Sequence, residues 1–216
     1  MSDDSPTLTM PVLPLVQIAK NLALFAHRDQ MYGDRPYSYH LEAVATLATR
    51  LGASEIVIAA AWLHDTLEDT TLPKEKIIVH VGHEVADLVE ELTDPVDIIV
   101  GSSKYFDRLS RISPSGKQLK LFDLAANMAA CAEDGNDYLI GYANNFTAYR
   151  DALMDGHWGP AGEAVYKSIY LGMLTGKAGK NKFGYWRAGP KVKDGLIVAL
   201  DPVYELYAPD ADRGPE

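Results

Sequence analysis

Apolar residues recur at intervals of three and four along most of the chain, with polar residues between them. Such a period is typical of amphipathic helices and not of strands, whose side chains alternate every second residue. Segments rich in glycine, proline and small polar residues separate the apolar stretches. The pattern therefore predicts an all-α fold. The predicted helices cover residues 13–25, 39–51, 55–65, 74–81, 83–92, 105–112, 118–132, 138–154 and 163–174.

The ends of several predicted helices carry capping residues. Ser54 is placed to cap the very apolar helix over 55–65, and either Ser113 or Ser115 can cap the helix that begins near Gln118. We expect an irregular or disordered N-terminus over residues 1–12, a helical domain over 13–174 and a C-terminal appendage over 175–216. That appendage begins with a Gly/Lys-rich loop. Its apolar stretches LIVAL and VYELY are compatible with short strands or with a last helix.

The composition is that of a globular protein. Of 216 residues, 47% are hydrophobic and 23% are charged, enough for a sizeable core. No apolar run approaches the roughly 20 residues of a membrane-spanning helix, and the acidic N-terminus does not resemble a secretory signal. A single cysteine, Cys131, excludes an internal disulfide. We therefore expect a cytoplasmic protein with no membrane partner, and we leave open whether it forms a homo-oligomer.

The net charge of −10 argues against general nucleic-acid binding, which depends on neutralising phosphates. Two segments are nevertheless basic, with net charges of +4 over 101–120 and +7 over 167–193. In the first, Lys104, Arg108 and Arg111 fall on one helix face. They are candidates for holding a small phosphorylated ligand, although a solvated face would have the same pattern.

The strongest chemical signal lies at the end of the most apolar helix, where His64-Asp65 is followed one turn later by Glu68-Asp69. Burying these groups beside such a helix is costly unless a partner neutralises them, and a divalent cation is a suitable partner. His40 precedes His64 by 24 residues, and Asp123 lies within a later apolar stretch. A metal with carboxylates beside it is the arrangement that water activation needs.

Four ordered motifs, AH..Q, PY..H, LHDT.ED and K..D...N, resemble the HD-domain phosphohydrolases, and among them the Rel/Spo-type small alarmone hydrolases. The motifs begin at Ala26, Pro36, Leu63 and Lys120, and the likeness covers about residues 15–150. The resemblance implies an all-α fold and hydrolytic removal of the 3′-pyrophosphate of (p)ppGpp, a small phosphorylated nucleotide. It implies one Mn²⁺ held by His40, His64, Asp65 and Asp123. It also implies that Glu68 and Asp69 orient or deprotonate the attacking water, and that Asn127 and, more loosely, Tyr149 contact the substrate.

The chemistry of these residue types agrees with that assignment. Two imidazoles and two carboxylates suit Mn²⁺ or another first-row divalent ion, with positions left for water and a phosphate oxygen. The absence of a cysteine ligand argues against a closed structural zinc site. Glu68 or Asp69 would then accept the proton of the attacking water. His27, although part of the first motif, is expected to have a structural role.

The chain departs from the family after Gln30, where the usual Arg-Lys pair for the guanine base is missing. Tyr32 offers a ring for stacking a base, and Arg35 offers a single cation. The base therefore stays open, and (p)ppApp is an alternative to (p)ppGpp. Two further readings also stay open: a phosphatase or phosphodiesterase acting on another phosphorylated nucleotide, and a non-catalytic module that binds alarmones.

Overall fold

A computed structural model describes residues 14–154, 159–178 and 191–199 of the chain. Within these ranges the protein is almost wholly helical, which confirms the predicted all-α class. The elements are α1 (Leu15–Ala26), β1 (Met31–Tyr32), β2 (Arg35–Pro36), α2 (Ser38–Arg50), α3 (Glu55–Leu63), α4 (Thr66–Asp69), α5 (Lys74–Val81), α6 (His83–Leu92), α7 (Ser103–Arg111), α8 (Pro114–Asp134), α9 (Tyr138–Asn144), α10 (Phe146–Leu153), α11 (Gly159–Ala178), β3 (Lys191–Lys193) and β4 (Leu196–Ala199). The strands form two small antiparallel hairpins.

Helix α3 lies at the centre of the fold. Its residues EIVIAAAWL are apolar nearly all round, and α1, α2, α6 and α8 pack against it. Such a helix is stable only when it is surrounded. Ser54 caps it as predicted, accepting a hydrogen bond from the Val57 N–H at 3.3 Å. The helix ends at Leu63, two residues before the predicted end, so His64 and Asp65 lie at the junction with α4.

Helix α8 crosses the same core and contributes most of its length to it. Ser113 is the capping residue, because its Oγ accepts a hydrogen bond from the Gly116 N–H at 3.0 Å. The helix begins at Pro114 and not near Gln118 as predicted, since proline is well suited to the first helical position. It ends at Gly135, whose φ of 62° gives the left-handed cap that glycine adopts readily.

Two of the later predicted helices also differ in extent from the structure. The helix expected over 138–154 is interrupted at Asn145, which separates α9 from α10. The Asn145 side chain donates to the Gly141 carbonyl at 3.2 Å, and asparagine side chains that bond to local backbone groups favour such breaks. The last predicted helix, over 163–174, is longer at both ends, because α11 runs from Gly159 to Ala178.

The C-terminal hairpin selects the strand alternative for LIVAL. Asp194 and Gly195 join β3 to β4 with φ values of 57° and 75°, as in the two-residue turns that tight hairpins use. Leu196 and Ile197 are buried, and the Ile197 N–H donates to Ser168 Oγ of α11 at 2.8 Å. The VYELY stretch and the N-terminal residues 1–12 lie outside the described residues. No helix in the described ranges combines the length and the apolar character that crossing a membrane requires.

Candidate active site

Four side chains from three parts of the fold converge on one point. His40 is the third residue of α2, His64 and Asp65 occupy the junction between α3 and α4, and Asp123 lies in the middle of α8. The Nε2 atoms of the two histidines are 3.1 Å apart. Asp65 Oδ2 lies 3.4 Å and 3.1 Å from the Nε2 atoms of His40 and His64. Asp123 Oδ1 lies 3.3 Å and 3.6 Å from the same two atoms.

The spacing of these atoms fits a shared cation. Two ligands about 2.1 Å from one ion, and 90–110° apart, lie about 3.0–3.4 Å from each other. His40, His64 and Asp65 offer ligand atoms that all lie within 4.8 Å of one another, and Asp123 approaches both imidazoles from α8. Both histidines and Asp123 are buried. The four residues therefore suit a divalent metal that accepts mixed nitrogen and oxygen ligands.

Hydrogen bonds and charges around the cluster orient its side chains and favour the ionised form of its carboxylates. His64 Nδ1–H donates to the Ala61 carbonyl at 2.9 Å, which turns Nε2 toward the other side chains of the cluster. Burial disfavours the imidazolium form of His64, but the neighbouring carboxylates outweigh burial and raise its pKa to about 10. Burial also opposes the charge of Asp123, yet Lys120 and the two histidines hold its pKa well below the usual range. Asp123 is therefore kept as a carboxylate.

The two predicted catalytic acids stand in different surroundings. Glu68 borders the cleft beside the metal ligands, and its Oε2 accepts a hydrogen bond from the Asp94 N–H at 3.2 Å. Burial raises the pKa of Glu68 above its ordinary value. Asp69 instead accepts a hydrogen bond from the Tyr37 hydroxyl at 2.6 Å, and that hydroxyl also lies 2.8 Å from Asp65 Oδ2. Glu68 is thus the better placed of the two to meet a water in the cleft.

The cluster lies at the bottom of a polar cleft of about 220 Å³. A second cavity, of about 500 Å³, adjoins it. Tyr32, Asn127 and Tyr142 line both and form the wall between them. The other residues of the cleft are Tyr37, His40, Asp65, Glu68, Asp94, Val100, Tyr105, Lys120, Asp123, Leu124 and Tyr149. The remaining residues of the second cavity are Gly33, Ala130, Cys131, Asp134, Asn136 and Tyr138.

Three of the predicted substrate-binding residues, Tyr32, Asn127 and Tyr149, are found in the cleft wall. Tyr32 donates from its hydroxyl to Asn127 Oδ1 at 2.7 Å, and Asn127 Nδ2 donates to Asp123 Oδ1 at 2.6 Å. One face of the Tyr32 ring is stacked on His40 at a centroid distance of 5.0 Å. Only its other face could therefore receive a base.

The basic residues of α7, which are candidates for holding a phosphorylated ligand, do not line the cleft. Lys104 is exposed, Arg108 is paired with Asp94, and Arg111 is paired with Asp107 at 2.8 Å on its own helix. The reason is that the apolar face of α7 packs inward and turns its cationic side chains toward solvent or toward neighbouring carboxylates. Arg108 still lies close to the site, because its partner Asp94 lines the cleft.

Arg35 is also held away from the metal ligands. Its guanidinium is paired with Asp134 and lies 4.4 Å from the centre of the Tyr39 ring. Asp34 Oδ1 also lies 3.9 Å from Arg35 Nε. Three partners thus engage the cation that was expected to contact a substrate. The pairing places Arg35 behind Asp134, which itself lines the second cavity.

Several residues of the cleft were not predicted. Lys120 donates from Nζ to Asp123 Oδ2 at 2.9 Å, and Tyr37 contacts both Asp65 and Asp69. Both belong to the motifs PY..H and K..D...N, so a signal for them was present. Lys120 lies three residues before Asp123, a spacing at which side chains on a helix meet. Tyr105 and Tyr142 carried no such signal, since they resemble ordinary packing residues.

The chain has relatives among known proteins. The sequence profile of the HD domain matches residues 18–112. The chain is 34% identical to the mouse guanosine-3′,5′-bis(diphosphate) 3′-pyrophosphohydrolase MESH1 over 117 residues, which are 51% of this chain and 65% of the mouse protein. It is 33% identical to the Xenopus tropicalis protein of the same name over 121 residues, which are 53% of this chain and 68% of that protein.

A solved structure of a metazoan orthologue of SpoT, described as hydrolysing ppGpp, has the same fold. The TM-score is 0.61 at 22% sequence identity, and the likeness covers 76% of this chain and 97% of the other. The overall helical fold is therefore shared with that protein.

Proposed function

This chain belongs to the HD domain family, and from that premise we propose that it is a metal-dependent hydrolase of a nucleotide alarmone. It removes the 3′-pyrophosphate of (p)ppGpp or of a close analogue such as (p)ppApp, using Mn²⁺ and acting in the cytosol. The observation that carries the proposal is the cluster of His40, His64, Asp65 and Asp123 in a cleft that Glu68 borders. The similarity to the MESH1 proteins supports the same substrate class.

The metal ligands and Glu68 divide the chemistry between them. His40, His64, Asp65 and Asp123 would hold the cation, which would supply polarisation of a phosphoryl oxygen and a lowered pKa of bound water. Glu68 accepts the proton of the attacking water, because its carboxylate faces the same cleft and its raised pKa makes it a stronger base than an exposed glutamate. The Asp94 N–H fixes one of its oxygens at 3.2 Å, so the other is free to meet the water.

Lys120, and not a basic residue of α7, is the cation that we propose for binding the phosphate groups. Its ammonium group lines the cleft and is kept charged, because Asp123 outweighs the effect of burial and raises the pKa of Lys120 well above its ordinary value. A fixed cation next to the metal site attracts the pyrophosphate and stabilises the negative charge that develops on it. We place Lys120 on the phosphate and Asn127 between phosphate and nucleoside.

The adjoining cavity suits the nucleoside. Its volume of about 500 Å³ and its aromatic wall of Tyr32, Tyr138 and Tyr142 offer a binding surface for a purine. Asp134 and Asn136 supply polar groups for the edge of the base. Because Arg35 is bound to Asp134, it does not replace the Arg-Lys pair that contacts guanine in the family. Guanine and adenine both remain candidates.

The experiment is hydrolysis of ppGpp and ppApp side by side, with Mn²⁺ or with a chelator, and with the products identified by chromatography. We expect release of pyrophosphate that requires Mn²⁺ and is abolished in His64→Ala, which loses metal and activity together. If the wild-type protein binds Mn²⁺ and neither nucleotide is hydrolysed, the proposal is wrong. Turnover in a wider panel of phosphorylated nucleotides would then indicate an HD-type phosphatase or phosphodiesterase. Tight binding without turnover would indicate an alarmone-binding module.

A further inference from the structure

The Tyr37 hydroxyl connects a metal ligand to an acidic residue that is not a ligand. It lies 2.8 Å from Asp65 Oδ2 and 2.6 Å from Asp69 Oδ2. Asp65 Oδ2 is the oxygen that also faces both histidine Nε2 atoms. A phenol carries a single proton, so the two carboxylates share one donor.

The ring of Tyr37 is held from behind by the AH..Q motif. His27 lies parallel to it, with ring centroids 4.7 Å apart and an angle of 5° between the planes. His27 Nδ1–H donates to Gln30 Oε1 at 2.5 Å, and its Nε2 lies 3.4 Å from Thr66 Oγ1. The imidazole is thus fixed in one tautomer and one orientation without approaching the metal ligands.

The same motif fixes the segment that carries the acidic residues. Gln30 Nε2 donates to the backbone carbonyl of Asp69 at 2.5 Å, and Thr66 contacts His27. Both ends of the short helix α4 are therefore attached to the turn that follows α1. Four residues of helix have few hydrogen bonds of their own, so such attachments decide where Asp65 and Asp69 lie.

We propose that Tyr37 is a positioning residue that orients Asp65 toward the metal and, through the same hydroxyl, holds Asp69 next to it. His27 and Gln30 hold the ring and the helix α4 in the required place. When Asp65 binds the metal, its oxygen becomes a weaker hydrogen-bond acceptor. The Tyr37 hydroxyl then donates mainly to Asp69. The effect on metal binding is independent of the substrate; the effect on turnover rests on the proposed function.

The test compares Tyr37→Phe with Tyr39→Phe. Phenylalanine keeps the ring that stacks on His27 and removes only the hydroxyl. Tyr39 is a matched control, because its hydroxyl bonds at 3.3 Å to Glu133 on the surface and not to the cluster. Mn²⁺ affinity is measured by calorimetry on the full-length, metal-free proteins. We expect Tyr37→Phe to weaken Mn²⁺ binding by about 10- to 100-fold, the usual cost of losing a partner of a ligand, and Tyr39→Phe to leave it unchanged.

Kinetics with saturating Mn²⁺ test the proposed effect of Tyr37 on turnover. We expect kcat of Tyr37→Phe to fall by about tenfold or more while KM changes little, because Asp65 and Asp69 lose their shared donor beside Glu68 but the ring that lines the cleft is kept. Mn²⁺ affinity and kcat both within about twofold of the control would overturn the proposal. If Tyr37→Phe lowers the melting temperature of the metal-free protein, the titrations are repeated well below both transitions. Should the wild type hydrolyse no alarmone, the Mn²⁺ titration still decides the role of Tyr37.

Discussion

Lys120 and Asp123 form an ion pair of 2.9 Å, one helical turn apart on α8, and the carboxylate is also one of the four proposed metal ligands. Their side chains are only 17% and 8% exposed. A buried ion pair is strongly destabilised when one partner is removed, because the other charge is left without compensation. Here the metal can supply that compensation. The pair therefore links the stability of the protein to occupation of its metal site.

Lys120→Met is expected to destabilise the metal-free protein by about 3 kcal/mol, and the Mn²⁺-loaded protein by clearly less. Methionine keeps the length and the packing of the side chain but not the charge. Urea unfolding in chelator and in Mn²⁺ measures both values. Equal losses in the two conditions would contradict this link. The same variant should raise KM for the alarmone, since the cleft loses its cation.

The convergence of His40, His64, Asp65 and Asp123 could be predicted from the sequence because they lie in motifs that resemble those of the HD-domain phosphohydrolases. His64-Asp65 interrupts the most apolar helix, and Asp123 is an ionisable residue within a buried stretch. Because burying an ionisable side chain is costly, such a residue in an apolar stretch is a candidate for a functional site. The all-α class could be predicted from the spacing of apolar residues, because the apolar face of each helix packs into the core.

The other features of the fold and of the site depend on tertiary packing, which a single sequence does not reveal. The orientation of α7 decides that Arg108 meets Asp94 and not a phosphate. The break at Asn145 results from one side-chain hydrogen bond. The hairpin after α11 did carry a signal, because Asp194-Gly195 is a favoured two-residue turn, here between the alternating KVK and the apolar LIVA. That signal was weakened by the Gly/Lys-rich segment before it, which is typical of a loop.

The raised pKa of Glu68 predicts the acid limb of the pH profile. Glu68 acts as a base only when ionised, so kcat/KM falls as the pH drops through its pKa. Because burial, and then the charges of Asp94 and Asp65, raise that pKa, the limb should lie at higher pH than for an exposed glutamate. Glu68→Gln should keep Mn²⁺ and lose about 10²- to 10⁴-fold in turnover. Full activity in this variant would show that Glu68 is not the base.

Asp94→Asn tests the cause of the shift. Removing the Asp94 charge lowers the pKa of Glu68, so the acid limb should move to lower pH while the backbone N–H still holds Glu68. Asp97→Asn, on an exposed carboxylate of the same loop, is the matched control and should leave the limb in place. A limb that moves equally in both variants would indicate a general effect of net charge.

Contacts within the protein predict that Arg35 contributes less to substrate binding than Asn127. Arg35 is occupied by Asp134 and by the Tyr39 ring, so Arg35→Gln should change KM by about twofold or less. Asn127 bridges Tyr32 and Asp123 within the cleft wall, so Asn127→Ala should lower kcat/KM by about 10- to 100-fold. Steady-state kinetics with ppGpp and ppApp measure both. The reverse order would restore Arg35 as the cation that binds the substrate.

Two glycines test whether α11, which lies beyond the region of family likeness, is part of the same cooperative fold. A Cβ on Gly176 would lie 2.4 Å from the Leu139 carbonyl oxygen and 2.7 Å from Ala143 Cβ, both on α9. Neither backbone nor a short side chain can move aside easily, so Gly176→Ala should destabilise the protein by about 1–3 kcal/mol. Gly141→Ala meets nothing within 4 Å on exposed α9 surface and should stabilise it by about 0.5–1 kcal/mol through helix propensity. Thermal unfolding of both variants, followed by circular dichroism, gives the comparison.

If Gly176→Ala unfolds at the wild-type temperature, α11 does not share the main unfolding transition, and the close contact between α9 and α11 contributes nothing to the stability of the site.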